Sequence, residues 1–296
     1  MPPVVDCDKR HALHKALGVE AALAQREVIK LARSGVHCEA FGLENPNPKG
    51  VLIFLPGIGT YVELYALMLS YAANQGYWVI GVDYPGHGFS EGKRGSFAVT
   101  DVATSVSELL DTLDRSDVPV GVWGYSIGSL LGLAAAESDQ RVSALLCGTL
   151  ILPDVPPDPS YAMGWWMTHQ QAFWFPSLNI PLRMFIDLDK LLAAHPASHM
   201  ISQDELIVYD YPLKTLSSLF GYHSQVAKAP QGFKAAILHG QQDEVLPLGY
   251  SRRLVNQLPH PFELISLQNT GHMAPWLSME SYAQSALSWF DKALQG

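Results

Sequence analysis

The stretch VPVGVWGYSIGSLLGLAAAES, Val118 to Ser138, decides the fold. Its first third is a short β-branched apolar run and its last half, IGSLLGLAAAES, is a long helix former, with Gly124-Tyr125-Ser126-Ile127-Gly128 at the junction. A buried strand that turns into a helix at a serine between two glycines has the form of a nucleophile elbow. The strained turn lifts the hydroxyl above the sheet, and the start of the helix supplies N–H donors. The same spacing recurs at Gly88-Phe89-Ser90-Glu91-Gly92, but there a loop precedes the serine and EGKRGS, which cannot start a helix at once, follows it. Ser126 is therefore the candidate nucleophile, and Ser90 reads as part of a structural loop.

Outward from this stretch the same strand, turn and helix rhythm repeats. VLIFLPG (51–57), WVIGVDYPG (78–86), VSALLCGTLI (142–151), FKAAILHG (233–240) and FELISLQ (262–268) read as buried strands. Helical spacing fills 61–74, 99–113, 127–137, 250–258 and 278–294. Alternation of this kind predicts an α/β fold: a mostly parallel central sheet with helices on both faces. It lapses between about Pro153 and Gln231, where the chain is Pro-rich and aromatic, so an inserted, mainly helical lid is expected at 153–231 on a core of 1–152 and 232–296. Residues His11 to Arg33 are expected to form one further helix on the outside.

The chain has 296 residues, 48% hydrophobic and 16% charged, which supplies a packed core and excludes disordered, collagenous and coiled-coil classes. Nineteen Lys and Arg against 28 Asp and Glu leave a formal charge of −9, a field that repels nucleic acid and anionic surfaces. Three scattered cysteines, Cys7, Cys38 and Cys147, give neither a disulfide framework nor a zinc site. The amino terminus carries charge where a signal peptide needs an apolar run, and the longest apolar stretch, near 144–152, is too short to span a bilayer. A cytoplasmic protein without an integral membrane segment is the expectation.

A serine needs a base, and a base needs a group to fix its tautomer. With the nucleophile on such an elbow, the acid and then the base follow it in the chain. His272 lies on the loop after FELISLQ, where Gly271 lets the chain turn, whereas His260 precedes that strand and His239 sits inside one and reads as a core histidine. Asp243, close behind FKAAILHG, is the candidate acid; Glu244 beside it reads as a solvated neighbour, and Asp154 is a third choice. Two backbone N–H groups should face a developing oxyanion, that of Ile127 after the nucleophile and that of Ile58 in the PGIG turn. This chemistry requires no metal or organic cofactor.

These residues resemble the α/β-hydrolase superfamily, and within it the monoacylglycerol lipase and lysophospholipase-like group. PGIGTYVELY, VDYPGHGFSEGKRG, GYSIG, HGQQDEVLP and NTGHM carry the likeness, in that order. The resemblance implies a structural part for Asp83 and His87 and sets Tyr65 where the group often has a tyrosine. The chain departs from the group in having Pro56-Gly57 where the oxyanion turn commonly begins His-Gly.

The lid segment is rich in large apolar side chains, and Tyr125, Trp165, Trp166, Phe173 and Trp174 are the candidate pocket residues. The expected activity is hydrolysis of a small-molecule carboxylic ester with an apolar acyl or aromatic group. A thioesterase, peptidase or C–C hydrolase using the same triad, or a non-catalytic binding member of the fold, are the alternatives. An exposed face of the aromatic cluster would also suit a membrane or a homodimer contact.

Overall fold

A computed structural model of the chain describes residues 5–295 apart from Phe185, Leu188, Asp189, Leu192 and Ala194. In chain order the strands are β1 (Glu27–Lys30), β2 (His37–Phe41), β3 (Val51–Leu55), β4 (Trp78–Val82), β5 (Val120–Tyr125), β6 (Val142–Gly148), β7 (Asn179–Pro181), β8 (Asp210–Pro212), β9 (Lys234–Gly240) and β10 (Phe262–Leu267). Eight of them form one sheet in the order β1-β2-β4-β3-β5-β6-β9-β10. From β4 to β10 every neighbouring pair is parallel, and β2 joins β4 antiparallel.

Period-two side-chain alternation divides the core between the two faces. On β3, Val51, Ile53 and Leu55 face the helices α4 (Val99–Leu113) and α5 (Ile127–Ser138), whereas Leu52 and Phe54 face α3 (Ala66–Asn74) and the C-terminal helix Met279–Ala293. Every residue of β3 and β5 is buried, which is why those strands read as unbroken apolar runs rather than alternating ones. The six strands expected from the apolar runs are all present, and the fold is that of the α/β hydrolases.

The amino-terminal segment differs from the single helix expected over 11–33. It forms α1 (Cys7–Leu17), a short α2 (Glu20–Ala24) and then β1, the antiparallel edge strand on β2. Gly18, at φ 69°, stops α1 by turning its amide back onto the carbonyls of His14 and Lys15. Sheet pairing then outweighs the helical spacing of REVIK. β2 escapes an apolar-run reading because its HCEAF carries Glu39, which is buried and paired with Arg26 (3.2 Å) and His37 (3.1 Å).

A second buried carboxylate ties this segment to the core. Glu63, in the turn Val62–Tyr65 after β3, accepts from Arg10, from His14 at 3.0 Å and from Arg26 at 3.1 Å. Burial raises its pKa, but the His14 hydrogen bond and the Arg10, His14 and Arg26 charges outweigh that and hold it below the ordinary value. A carboxylate with a lowered pKa stabilises the fold above its unfolded-state pKa, and that contribution is lost as pH falls through the folded value.

Between β6 and β9 the chain leaves the sheet. It forms α6 (Pro159–Trp174), the two-stranded β7–β8 ladder, the short helix Ser198–Ser202 and the helix Leu213–Phe220, which packs along α6. Among the described residues no helix is long and apolar enough to cross a membrane. Removal of Glu63 takes the anion from Arg10 and one of two from Arg26, so Glu63→Ala is expected to lower stability by about 3 kcal/mol. Denaturant unfolding checks this, and an unchanged midpoint would show that the cluster contributes nothing.

Candidate active site

Ser126 sits between β5 and α5 at φ 54°, ψ −124°, a conformation that costs a non-glycine residue on the order of 1–3 kcal/mol. The surroundings hold it there. A Cβ at position 124 would lie 2.3 Å from the carbonyl oxygen of Gly128, and one at 128 would lie 2.2 Å from that of Leu55, so both flanking positions accept only glycine. The Ser126 amide donates to the Gly148 carbonyl (2.7 Å), and the Ser129 amide to that of Ser126 (2.8 Å). The serine cannot relax without breaking the junction of β5, β6 and α5.

His272 and Asp243 converge on this serine from two other loops. His272 Nε2 lies 3.2 Å from Ser126 Oγ, and His272 Nδ1 lies 2.9 Å from Asp243 Oδ2. The Asp243 side chain is fully enclosed, and its other oxygen accepts the amides of Val245 (2.8 Å) and Leu246 (2.9 Å). Burial pushes its pKa up, but the hydrogen bond and charge of His272 and the Leu246 amide outweigh this, leaving the carboxyl below its usual value and charged. The ionised carboxylate accepts from Nδ1, and Nε2 is the ring nitrogen that faces the serine.

Several partners in this assembly have no motif of their own. Thr149, left-handed at φ 61° just past β6, donates its hydroxyl to Asp243 Oδ2 at 3.0 Å. Glu244, expected to be merely solvated, accepts the amide of His272 at 3.0 Å, and a Cβ at Gly271 would come within 2.6 Å of that carboxylate. Tyr125 donates its hydroxyl to the His272 carbonyl (2.8 Å) and lays its ring against the imidazole at 5.5 Å. The only advance sign of these contacts is position, each residue lying beside a triad candidate or at a strand end.

The remaining titratable candidates are engaged elsewhere. His239 Nδ1 meets Ser251 Oγ at 2.7 Å and its Nε2 meets the Leu246 carbonyl at 2.9 Å, a satisfied core histidine. His260 accepts the Gln231 amide, and Asp154 holds His223 and the Ser224 amide. Ser90 bridges the His37 amide and the Asp83 carbonyl. Asp83, its pKa raised by burial to about 7, caps the Val62 and Phe89 amides, and His87, pushed by burial to about 3 and hence neutral, hydrogen-bonds Tyr211. Tyr211 in turn takes the Gly59 amide at 2.8 Å, so the loop that carries Ile58 is held from the β8 side.

A cavity of about 370 Å³ opens above Ser126, with Ile58 and Ile127 at its base and Thr149, Leu246 and His272 in its wall. Its roof is one face of α6: Tyr161, Gly164, Trp165 and Thr168, spaced at i, i+3, i+4 and i+7, with Trp165 stacked on Phe220 at 5.6 Å. Of the aromatic residues expected in the pocket, Trp165 lines it. Trp166, Phe173 and Trp174 do not: they lie on the opposite face of α6, 63%, 78% and 73% exposed. Both faces of that helix are apolar, so composition alone assigned too many of its rings to the cavity. Tyr125 borders a second, smaller cavity beside His272.

Comparison with known proteins agrees with this geometry. Residues 46–275 match the model of the serine aminopeptidase family S33. The chain belongs to that family of serine hydrolases. Among solved structures it is similar to a monoacylglycerol lipase from Paleococcus ferrophilus (TM-score 0.73, 22% identity, 87% of this chain and 99% of the other). A soluble variant of the Saccharomyces cerevisiae monoglyceride lipase gives a TM-score of 0.73 at 15% identity, over 91% of this chain and 96% of the other. A pimeloyl-[acyl-carrier protein] methyl ester esterase from Xanthomonas campestris is 24% identical over 259 residues, 82% of this chain and 95% of that protein.

If the Thr149 hydroxyl keeps Asp243 turned toward His272, Thr149→Val is expected to lower kcat by roughly tenfold with KM unchanged, the equivalent of one hydrogen bond to a charged group. Steady-state kinetics checks this, and an unaltered kcat would remove Thr149 from the positioning set.

Proposed function

We propose that the protein hydrolyses carboxylic esters with an apolar acyl group through an acyl-enzyme. Ser126 is the nucleophile, His272 the base and Asp243 the orienting acid, beneath a cap formed by residues 153–231. The supporting observation is the unbroken chain from Ser126 Oγ to His272 Nε2 (3.2 Å) and from Nδ1 to Asp243 (2.9 Å) at the floor of an apolar cavity. Ser126 Oγ attacks the ester carbonyl as its proton passes to Nε2. The amides of Ile58 and Ile127 then receive the oxyanion, and Ile127, as the first residue of α5, offers an amide with no partner inside the helix. Collapse expels the alkoxide, which takes the proton from His272; water, deprotonated by the same imidazole, then releases the acid.

Ester chemistry fits the cavity better than aminopeptidase chemistry, although the family takes its name from the latter. Holding a free amino terminus requires a carboxylate near the scissile bond, and among the described residues neither cavity beside Ser126 is lined by an Asp or Glu. The relative's methyl ester esterase activity points the same way. A thioester substrate would meet the same walls, so acyl thioesters belong in the assay beside oxygen esters.

Ser126→Ala is expected to keep the fold, lose labelling by a fluorophosphonate probe and lose at least ~10³-fold of the hydrolytic rate. Near-normal turnover by that variant, with Ser90→Ala inactive, would overturn the assignment. Acyl length is a separate test: kcat/KM for ethyl esters is expected to rise from acetate to octanoate, and Trp165→Ala to flatten that rise by about tenfold as the roof loses its apolar wall. Faster acetate than octanoate hydrolysis would contradict an apolar acyl site.

A further inference from the structure

The two cavities that meet at Ser126 are very unequal. The one under α6 measures about 370 Å³, and the one on the Trp276 side about 40 Å³. A single water-sized group needs roughly 10–15 Å³ by this measure, so the smaller compartment holds about three such groups. We propose that it receives the alcohol half of the ester, and that the substrates are esters of one- or two-carbon apolar alcohols with a medium or long acyl chain, in preference to glyceryl esters. This rests on Ser126 being the nucleophile and narrows that reading to a substrate class.

The alkoxide must leave beside Nε2 to receive its proton. His272 lines both cavities, but the small one is bounded by the residues that pack on and follow the imidazole: Tyr125 lies against its ring, and Met273 and Trp276 come after it in the chain. The larger chamber then takes the acyl chain, where Ile127, Ile151, Leu182 and Trp165 provide apolar contact.

The walls of the small compartment are pinned and their polar atoms are engaged. Trp276 Nε1 donates to the Leu64 carbonyl at 3.0 Å, and the Trp276 and Tyr65 rings pack at 5.1 Å. Thr60 gives its hydroxyl proton to the Gly57 carbonyl (2.8 Å), which leaves Tyr65 to donate to Thr60 Oγ1 at 3.0 Å. Tyr125 donates to the His272 carbonyl. Tyr209 donates its hydroxyl to the Ser202 carbonyl at 3.0 Å. Apart from Ser126 and His272, the five side-chain donors among the described lining residues are therefore spent on the protein, and a polyol placed here would lose its hydration without recovering its hydrogen bonds. A methoxide or ethoxide loses far less. Atoms balance as for any ester: the Oγ–C bond forms, the C–O bond to the alkyl group breaks, and His272 passes the serine proton to the departing oxygen.

The test is a panel of methyl, ethyl, butyl and 1-glyceryl octanoate together with octyl acetate, followed by acid release. Methyl and ethyl octanoate are expected to exceed butyl and 1-glyceryl octanoate in kcat/KM by at least ~10-fold, and octyl acetate to be the poorest. Trp276→Ala is expected to raise the butyl-to-methyl ratio about tenfold; Trp276→Leu, which keeps an apolar side chain for folding, is expected to raise it less. Glyceryl or butyl octanoate equalling methyl octanoate, octyl acetate outrunning it, or an unchanged ratio in a folded Trp276 variant would overturn the inference. If Ser126 takes the fluorophosphonate label and esters turn over without this preference, only the alcohol assignment falls. No label and no turnover of any ester remove the hydrolase reading, and this one with it.

Discussion

The left-handed backbone at Ser126 is the constraint on which the rest of the site depends. Its cost of a few kcal/mol is met by interlocking main chain: α5 lies so close to β5 at Gly124, and to the end of β3 at Gly128, that neither position tolerates a Cβ, and the Ser126 amide is committed to Gly148 on β6. The strain and the close approach are one feature. The strand must end and the helix begin within a single residue for the hydroxyl to stand clear of the sheet, and only glycine on both sides permits the two elements to lie that near. The hydroxyl direction is thereby set by the parallel sheet itself and not by a mobile loop, as the role proposed for it would need, since a reacting atom must be held before substrate arrives.

Around that point the structure spends further polar groups on main-chain geometry. Asp243 accepts two amides of its own loop as well as the imidazole and the Thr149 hydroxyl, so its orientation is fixed on both oxygens. His272 is held at the amide by Glu244 and at the carbonyl by Tyr125. An imidazole held at its backbone on both sides retains little freedom beyond its ring torsion, and the Asp243 contact settles that. The buried, ionised carboxylate is tolerated here for the same reason: each of its oxygens accepts hydrogen bonds, so the desolvation it suffers is offset locally.

How much of this was legible follows from which signals are local. The elbow was, because strand, serine, glycines and helix occur within 21 consecutive residues, 118 to 138, and each has a mechanical reason. His272 and Asp243 were nearly as plain, since a loop after a buried strand can place a side chain in few other ways. Thr149 and Glu244 were not: their roles come from the register of β6 against β9 and from the approach of two loops 28 residues apart. Glu39 misled for the opposite reason. A buried charge on β2 erased the apolar pattern by which the other strands were found, and only the Arg26 and His37 contacts explain why it is admitted to the core. On α6 the difficulty was symmetry. Trp165 and Trp166, adjacent in the chain, lie about 100° apart around the helix, one in the cavity lining and the other exposed, and no local rule says which side meets the cavity.

The turn proposed to receive the oxyanion shows how distant parts of the chain come to matter for the same few atoms. Gly59, at φ 77°, lies so near the Val208 carbonyl that a Cβ there would sit 2.7 Å away, and its amide goes to Tyr211, itself hydrogen-bonded to His87. On its other side Tyr65 reaches the Gly57 amide, while Glu63, two residues earlier, is gripped by Arg10, His14 and Arg26. The amino-terminal segment and the insertion between β6 and β9 therefore clamp the turn from two directions. Neutral His87 suits this arrangement, because a cation there would sit in a buried apolar site with no carboxylate bonded to it. A turn held in this way is fixed before any substrate binds, which is what the oxyanion role proposed for the Ile58 amide requires, since donors that need not reorganise give such a site most of its stabilisation of the transition state.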